Sequence, residues 1–295
     1  MKYNKIFITG AGGMLGSYIE DSFQDSKLIL TDINIDKDLG YCDVGKPCQV
    51  QALLEVHRPD LIINLAAMTD LEICEKEYVN CLDSNYHGCV NLYKMANWLE
   101  VPYVFISTAG VFDGKKEFYD DDDKQNPLGV YAKSKHLSEL YLQQSNFNKT
   151  WVFRAGWMMG GGIAKDNKFV NKFMKQIRDG KKEIHVVDDK LGTPTYCKDF
   201  AESIKRHLDE DLPFGLYNMV SKGSASRYDV AIKIKQLLDL DVDIIKVDSN
   251  FFKQEYFAER PASEKLVNSK LNLLERNYMR HWELALTDYI RNDYK

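Results

Sequence analysis

Residues 5–16, KIFITGAGGMLG, constrain this chain more than any other stretch. A short apolar run ends in four glycines and then re-enters an apolar pattern at helical spacing, which reads as strand, tight turn and helix. Gly10, Gly13 and Gly16 stand three apart, and each has a physical reason to lack a side chain. The first lets the chain turn off the strand, the second lets backbone amides approach a pyrophosphate, and the third lets the helix pack closely on the sheet. A helix opening at Gly13, Met14 and Leu15 points its amides and its positive dipole end at phosphate. A tight turn with no ligand would use some of the same residues, so the pattern gains weight only from the segments downstream of it.

The next segment is a second apolar strand, 27–31, closed by Asp32. A carboxylate at that strand end can hydrogen-bond both ribose hydroxyls of an adenosine and would repel a 2′-phosphate, so NAD(H) is expected to be preferred, with NADP(H) also accepted. A solvated turn aspartate is the competing reading. Residues 60–67, DLIINLAA, form a near-continuous apolar run, as expected of a strand buried on both faces of a parallel sheet. Its end, Ala66-Ala67, is small enough for a cofactor to cross. A helical region with little interruption then runs to Glu100 and contains Asn85, and residues 103–107, YVFIS, form the next strand. Strands alternating with helices predict an α/β fold with a doubly wound parallel sheet of the Rossmann kind.

Composition narrows the function classes. The chain has 295 residues, 44% hydrophobic and 28% charged, with a formal charge of −5, so it has no basic field to attract nucleic acid or an acidic membrane. No apolar run is long enough to span a bilayer, and no leader-like segment opens the chain. Six cysteines lie scattered without a CxxC pair, and no carboxylate cluster has metal-ligand spacing, so neither a metal nor a redox dithiol is expected. A reduced, cytoplasmic setting is the expectation from that pattern. The run YDDDDK at 119–124 repels itself and reads as an exposed, solvated loop.

The candidate chemistry lies at Thr108, which ends the fourth long strand, and on a helix from about 128 to 144 carrying Tyr131 and Lys135. A spacing of four puts the phenol and the ammonium on one helix face. An adjacent cation favours the phenolate, which would lower the tyrosine's pKa from about 10 and make it a usable proton donor.

With a glycine turn after the first strand, a hydroxyl at a strand end and YxxxK on the next helix, the sequence resembles the extended short-chain dehydrogenase/reductase superfamily. The resemblance gives Thr108 the role of polarising a carbonyl, Tyr131 that of acid and base, and Lys135 that of tuning the tyrosine and holding the nicotinamide ribose. Asn85 falls where the superfamily has a supporting asparagine. The segments TDLEICE, STAGVFDG, YAKSK, DDKLGTPTY and RPASEKLVNSKL narrow the likeness to the dTDP-4-dehydrorhamnose reductase family over nearly the whole chain. This resemblance places Gly10, Gly13, Met14, Leu15, Gly16, Asp32, Asp43, Val44, Ala66, Ala67, Met68, Tyr131 and Lys135 along the cofactor. It places Thr108 and Trp157 at the substrate, a nucleotide sugar, and leaves room for a homodimer; Ala109 and Asn167 are further candidates there, and Arg260 could face the diphosphate, which a planar guanidinium can grip bidentately. Arg260 could instead serve a structural ion pair.

The expected partition is a cofactor domain over 1–155, rejoined by about 185–220, with a smaller, discontinuous C-terminal α/β substrate domain from 156–184 and 221–292. The sequence departs from the family at Ala109-Gly110, where Asp and Tyr are usual, and at Ala155-Gly156; both departures are expected to widen the sugar pocket. Reduction of the 4-keto group of a nucleotide-linked 6-deoxysugar is the implied activity. An epimerase or dehydratase of the same superfamily and a non-catalytic dinucleotide-binding regulatory subunit are the alternatives.

Overall fold

A computed structural model describes residues 2–35 and 39–294. Its centre is a parallel sheet of seven strands: β1 (Lys5–Thr9), β2 (Lys27–Asp32), β3 (Gly40–Tyr41), β4 (Leu61–Asn64), β5 (Tyr103–Thr108), β6 (Thr150–Ala155) and β7 (Gly215–Asn218). The spatial order is β7-β6-β5-β4-β1-β2-β3. Strand order therefore reverses on either side of β1, which opens a crevice at the carboxyl ends of β1 and β4. In that register Thr9 lies beside both Thr31 and Asn64.

The pleat explains why these runs are strands. Ile6 and Ile8 enter an apolar cluster with Ile19, Phe200 and Ile204, while Phe7 between them enters the opposite cluster with Leu92, Phe105 and Leu142. Successive side chains of a strand point to opposite faces, so a strand covered by helices on both sides is apolar throughout. All four residues of β4 are buried.

Three expectations are corrected. The region before Glu100 is not one helix but Leu71–Lys76, Tyr78–Leu82 and a wide π-type turn, Asp83–His87, that continues into Gly88–Leu99. The wide turn brings Asn85 inward, to the Met68 backbone and the Ser134 hydroxyl. The aspartate run is not uniformly solvated: Tyr119 and Asp121 are buried while Asp120, Asp122 and Lys124 face water. Asp121 accepts from the amides of Asn218 and Lys270, which ties the loop to β7 and the helix Ser269–Leu273.

The chain also returns to the central sheet later than expected. Glu183–Val187 pairs in parallel with Asp243–Val247, and Leu191–Gly192 lies between Ala225–Ser226 and Ser263–Glu264. Pro194–Tyr196 pairs with Trp157–Met159. These short apolar strands find their hydrogen-bond partners in the second half of the chain, so only the helix Cys197–Asp209 leads back to β7. Among the described residues no helix is long and apolar enough to cross a membrane.

Candidate active site

At the crevice the glycine loop is fixed by contact. Gly10 has φ +70°, and a Cβ there would lie 2.5 Å from the Ala66 amide nitrogen. A Cβ on Gly16 would lie 1.9 Å from the Ala11 carbonyl oxygen, so glycine is required where the helix Met14–Ser22 leaves the strand. Gly13 is exposed and precedes the first helical residue, with only the Gly10 carbonyl near its missing side chain. Among the described residues the amides of Met14 and Leu15 have no hydrogen-bond partner. Free amides at a helix start suit an anion, so the loop fits the pyrophosphate of a nicotinamide dinucleotide.

Neighbouring groups frame that loop. Asp32 is buried, and its two carboxylate oxygens accept from the amides of Gly12 at 3.0 Å and Asn34 at 2.9 Å. Asp43 follows the ladder contact between Cys42 and Asp32 and accepts from the Gly45 amide at 2.9 Å. Val44 is buried, and its carbonyl accepts from Asn91 at 2.9 Å. Beyond β4, the Ala66 amide donates to Asn64 at 3.1 Å, and Ala66, Ala67 and Met68 are half-buried along the crevice. Asn85 accepts from the Met68 amide at 2.8 Å and donates to the Met68 carbonyl at 3.0 Å and to Ser134 at 2.9 Å. It thereby clamps the crevice wall to the helix Val130–Gln144 that carries Tyr131.

Thr108 ends β5, with its hydroxyl accepting from the Gly110 amide at 3.1 Å. Tyr131 sits in the first turn of its helix, with the Thr108 hydroxyl near enough to its phenol to favour the ionised form. Glu75 accepts from the Val130 amide at 2.8 Å, which fixes the start of the helix. One turn on, Lys135 is buried and donates to the Ile106 carbonyl at 2.8 Å, with its ammonium 4.4 Å from the centre of the Phe105 ring.

Burial lowers the Lys135 pKa to about 8. Burial also raises the Tyr131 phenol above its usual range, with the nearby Thr108 hydroxyl pulling the other way. The expectation that Lys135 brings Tyr131 down is therefore not met in this structure: the ammonium is held by the Ile106 carbonyl and the Phe105 face, and desolvation of the phenol is the larger effect.

A second cluster gathers around Trp157, one of the residues expected at the substrate. Trp157 donates through its indole nitrogen to Glu264 at 2.6 Å, and the Arg227 guanidinium lies 3.7 Å from the centre of the indole ring. A Cβ on Gly192 would lie 2.3 Å from the indole, so that glycine makes room for the ring. Arg260 pairs with Glu72 at 2.7 Å and donates to the Ala258 carbonyl at 2.8 Å, which is the ion-pair reading. Asn167 is exposed and, among the described residues, makes no hydrogen bond; its neighbour Lys168 reaches Thr69 instead.

Ala109 is 1% exposed and packs with Val111, Phe112, Tyr119, Val220 and Leu266, so its methyl belongs to an apolar cluster and not to open pocket. Gly156 does not widen the pocket either, because the Thr193 carbonyl would lie 2.3 Å from a Cβ there. Only at Gly110 does the departure leave room: a Cβ would meet Glu264 Oε1 and Thr108 Oγ1, each at 3.5 Å. Glu264 and Arg227 escaped sequence reasoning. A two-residue strand has no periodicity to betray Glu264, and Arg227 opens a helix like any exposed basic residue. A separate cleft of about 280 Å³, lined by Tyr93, Asn97, Tyr103 and Lys149, lies by the amino end of β5, opposite Thr108.

A family model described as the RmlD substrate binding domain matches residues 4–295. The chain belongs to the RmlD family. Among relatives of this RmlD-family chain, the spore coat polysaccharide biosynthesis protein SpsK of Bacillus subtilis is 30% identical, covering 97% of each chain. The solved dTDP-4-dehydrorhamnose reductase of Clostridium acetobutylicum is 32% identical with a TM-score of 0.87, covering 97% of this chain and 98% of its own. That of Bacillus anthracis, solved in complex with NADP, is 28% identical with the same TM-score of 0.87 and the same coverage of 97% and 98%. The preference for NAD(H) expected from Asp32 has no support here, since both of its oxygens already bind amides and a similar RmlD-family structure holds NADP.

Proposed function

We propose that this chain reduces the 4-keto group of a nucleotide-linked 6-deoxysugar with a nicotinamide cofactor, and that dTDP-4-dehydrorhamnose or a close analogue is its substrate. The observation that carries the reading is the convergence of the Thr108 hydroxyl on the Tyr131 phenol, one helix turn from a buried Lys135, beside a loop of free amides. A regulatory dinucleotide-binding module has no use for such a pair. The names of the relatives point the same way.

When bound, the cofactor supplies the hydride. The Tyr131 hydroxyl donates its proton to the carbonyl oxygen of the sugar, and Thr108 donates a hydrogen bond to that oxygen as charge develops on it. Lys135, held over Phe105, fixes the ribose side of the site. Trp157, backed by Arg227, packs against the sugar. Asp32 holds the glycine loop by its Gly12 amide, and both NADPH and NADH serve as reductant. Six free cysteines accord with work in a reducing cytoplasm.

The test is oxidation of NADPH or NADH, followed by absorbance, with a panel of nucleotide 4-keto-6-deoxysugars generated with and without a 3,5-epimerase. Oxidation with the epimerised dTDP sugar is expected. Cofactor binding without oxidation of any panel member would overturn the reading.

A further inference from the structure

Glu264 presents two oxygens with different fates. Oε2 accepts from the Trp157 indole, which accounts for the position of the ring. Oε1, among the described residues, makes no hydrogen bond or ion pair, and it faces the methyl-sized space over Gly110 whose opposite wall is the Thr108 hydroxyl. The carboxylate is half-buried, and burial raises its pKa above the ordinary value, while the Trp157 hydrogen bond and the charges of Arg227, Arg260 and Lys190 work in the opposite direction. The Glu264 charge also raises the pKa of the Tyr131 phenol, after the larger effect of burial. Neither Ala109 nor Gly110 offers a polar side chain to this space.

A sugar whose carbonyl oxygen is held by Thr108 and Tyr131 can direct the hydroxyl of one neighbouring carbon toward this space, which is about the size of a single hydroxyl or methyl group. We infer that Glu264 is a specificity-determining residue, whose Oε1 accepts a hydrogen bond from the hydroxyl on the carbon beside the ketone. The inference rests on the ketosugar-reductase reading. A carboxylate that must lose water to receive substrate stays without a partner when the hydroxyl is missing, so the site rejects the deoxygenated analogue. Sites of this construction discriminate by about 10⁴ when the hydroxyl contact is complete.

The experiment compares kcat/KM for a nucleotide 4-keto-6-deoxysugar and for its counterpart lacking the 3-hydroxyl, in the wild-type enzyme and in Glu264→Gln. The glutamine carbonyl can still accept from Trp157, whereas its amide group turns the facing acceptor into a donor. The wild-type enzyme is expected to prefer the hydroxylated sugar by about 10² or more, and Glu264→Gln to reduce that ratio at least about tenfold. Glu264→Ala, which also releases Trp157, is expected to reduce it as well. An unchanged ratio in both variants, including a fall of both substrates in parallel, overturns the inference and leaves Glu264 as a support for Trp157. Failure of the wild-type enzyme to reduce any nucleotide ketosugar overturns the functional reading itself and the inference with it.

Discussion

Arg154 on β6 grips Glu139 on the Tyr131 helix through two parallel hydrogen bonds, at 2.9 and 2.7 Å, with both side chains 1% exposed. The pair lies behind the reacting hydroxyls and bolts the helix to the sheet. Ser107 and Gln125 also donate to the carboxylate, and the Asp121 carbonyl accepts from the guanidinium at 2.8 Å. Each charge is therefore matched by geometry as well as sign, which is the condition under which a buried pair holds.

Removing one partner strands the other in the interior. Arg154→Met is expected to cost about 3–5 kcal/mol of stability, read by chemical denaturation with cofactor absent. A loss under about 1 kcal/mol would mean that water reaches Glu139 in the native state.

Tyr131→Phe removes the proton donor and keeps the ring. NADPH binding by calorimetry should stay near its wild-type value, while turnover falls by about 10² to 10⁴, the usual share of a positioned acid. Turnover equal to wild type would require another group to deliver the proton.

Lys135 gives a pH dependence whose sign can be worked out. Its pKa is lowered to about 8 in the folded chain, against about 10.4 unfolded, so between these values the unfolded state binds more protons. The burial penalty is fully present below about pH 8 and is relieved as pH rises toward about 10.4, so this residue's contribution to stability increases with pH across that window. The difference in Tm between wild type and Lys135→Met, followed from about pH 7 to about 10.5, should move in favour of the wild type. A flat difference would mean that the lysine keeps its ordinary pKa.

Gly192→Ala places a methyl where the Trp157 indole lies, at 2.3 Å. The ring must move, and a displacement of about 1 Å at a substrate-positioning group can cost about 10² in rate. The expected result is a higher KM for the nucleotide sugar with NADPH affinity unchanged, because the glycine loop at Gly10 to Gly16 is built from other elements. Loss of cofactor affinity in parallel would show instead that the misfolding spreads beyond the strands around Gly192.

Asp32→Ser removes a negative charge beside the Gly12 amide. The ratio of kcat/KM for NADPH to that for NADH should rise, by about tenfold if the carboxylate opposes a 2′-phosphate by about 1.4 kcal/mol. An unchanged ratio would restrict Asp32 to holding the loop.

Local physics along the chain accounts for much of this protein. The glycine positions at 10 and 16, the doubly apolar β4, and the spacing of Tyr131 and Lys135 follow from backbone sterics and from periods of two and 3.6 residues, all readable in the order of the amino acids. Contacts between distant segments settle the rest, and no local pattern announces them. Glu264 meets Trp157 across 107 residues, and Asp121 leaves a run that looks solvated because Asn218 and Lys270 offer it amides. The same holds for Lys135 and Tyr131, whose proton affinities follow from the desolvation that packing imposes more than from their spacing along the helix. Even the room around these residues depends on folding, since Thr193 fills the space beside Gly156 and an apolar cluster encloses Ala109, leaving a methyl-sized space at Gly110 that Glu264 faces.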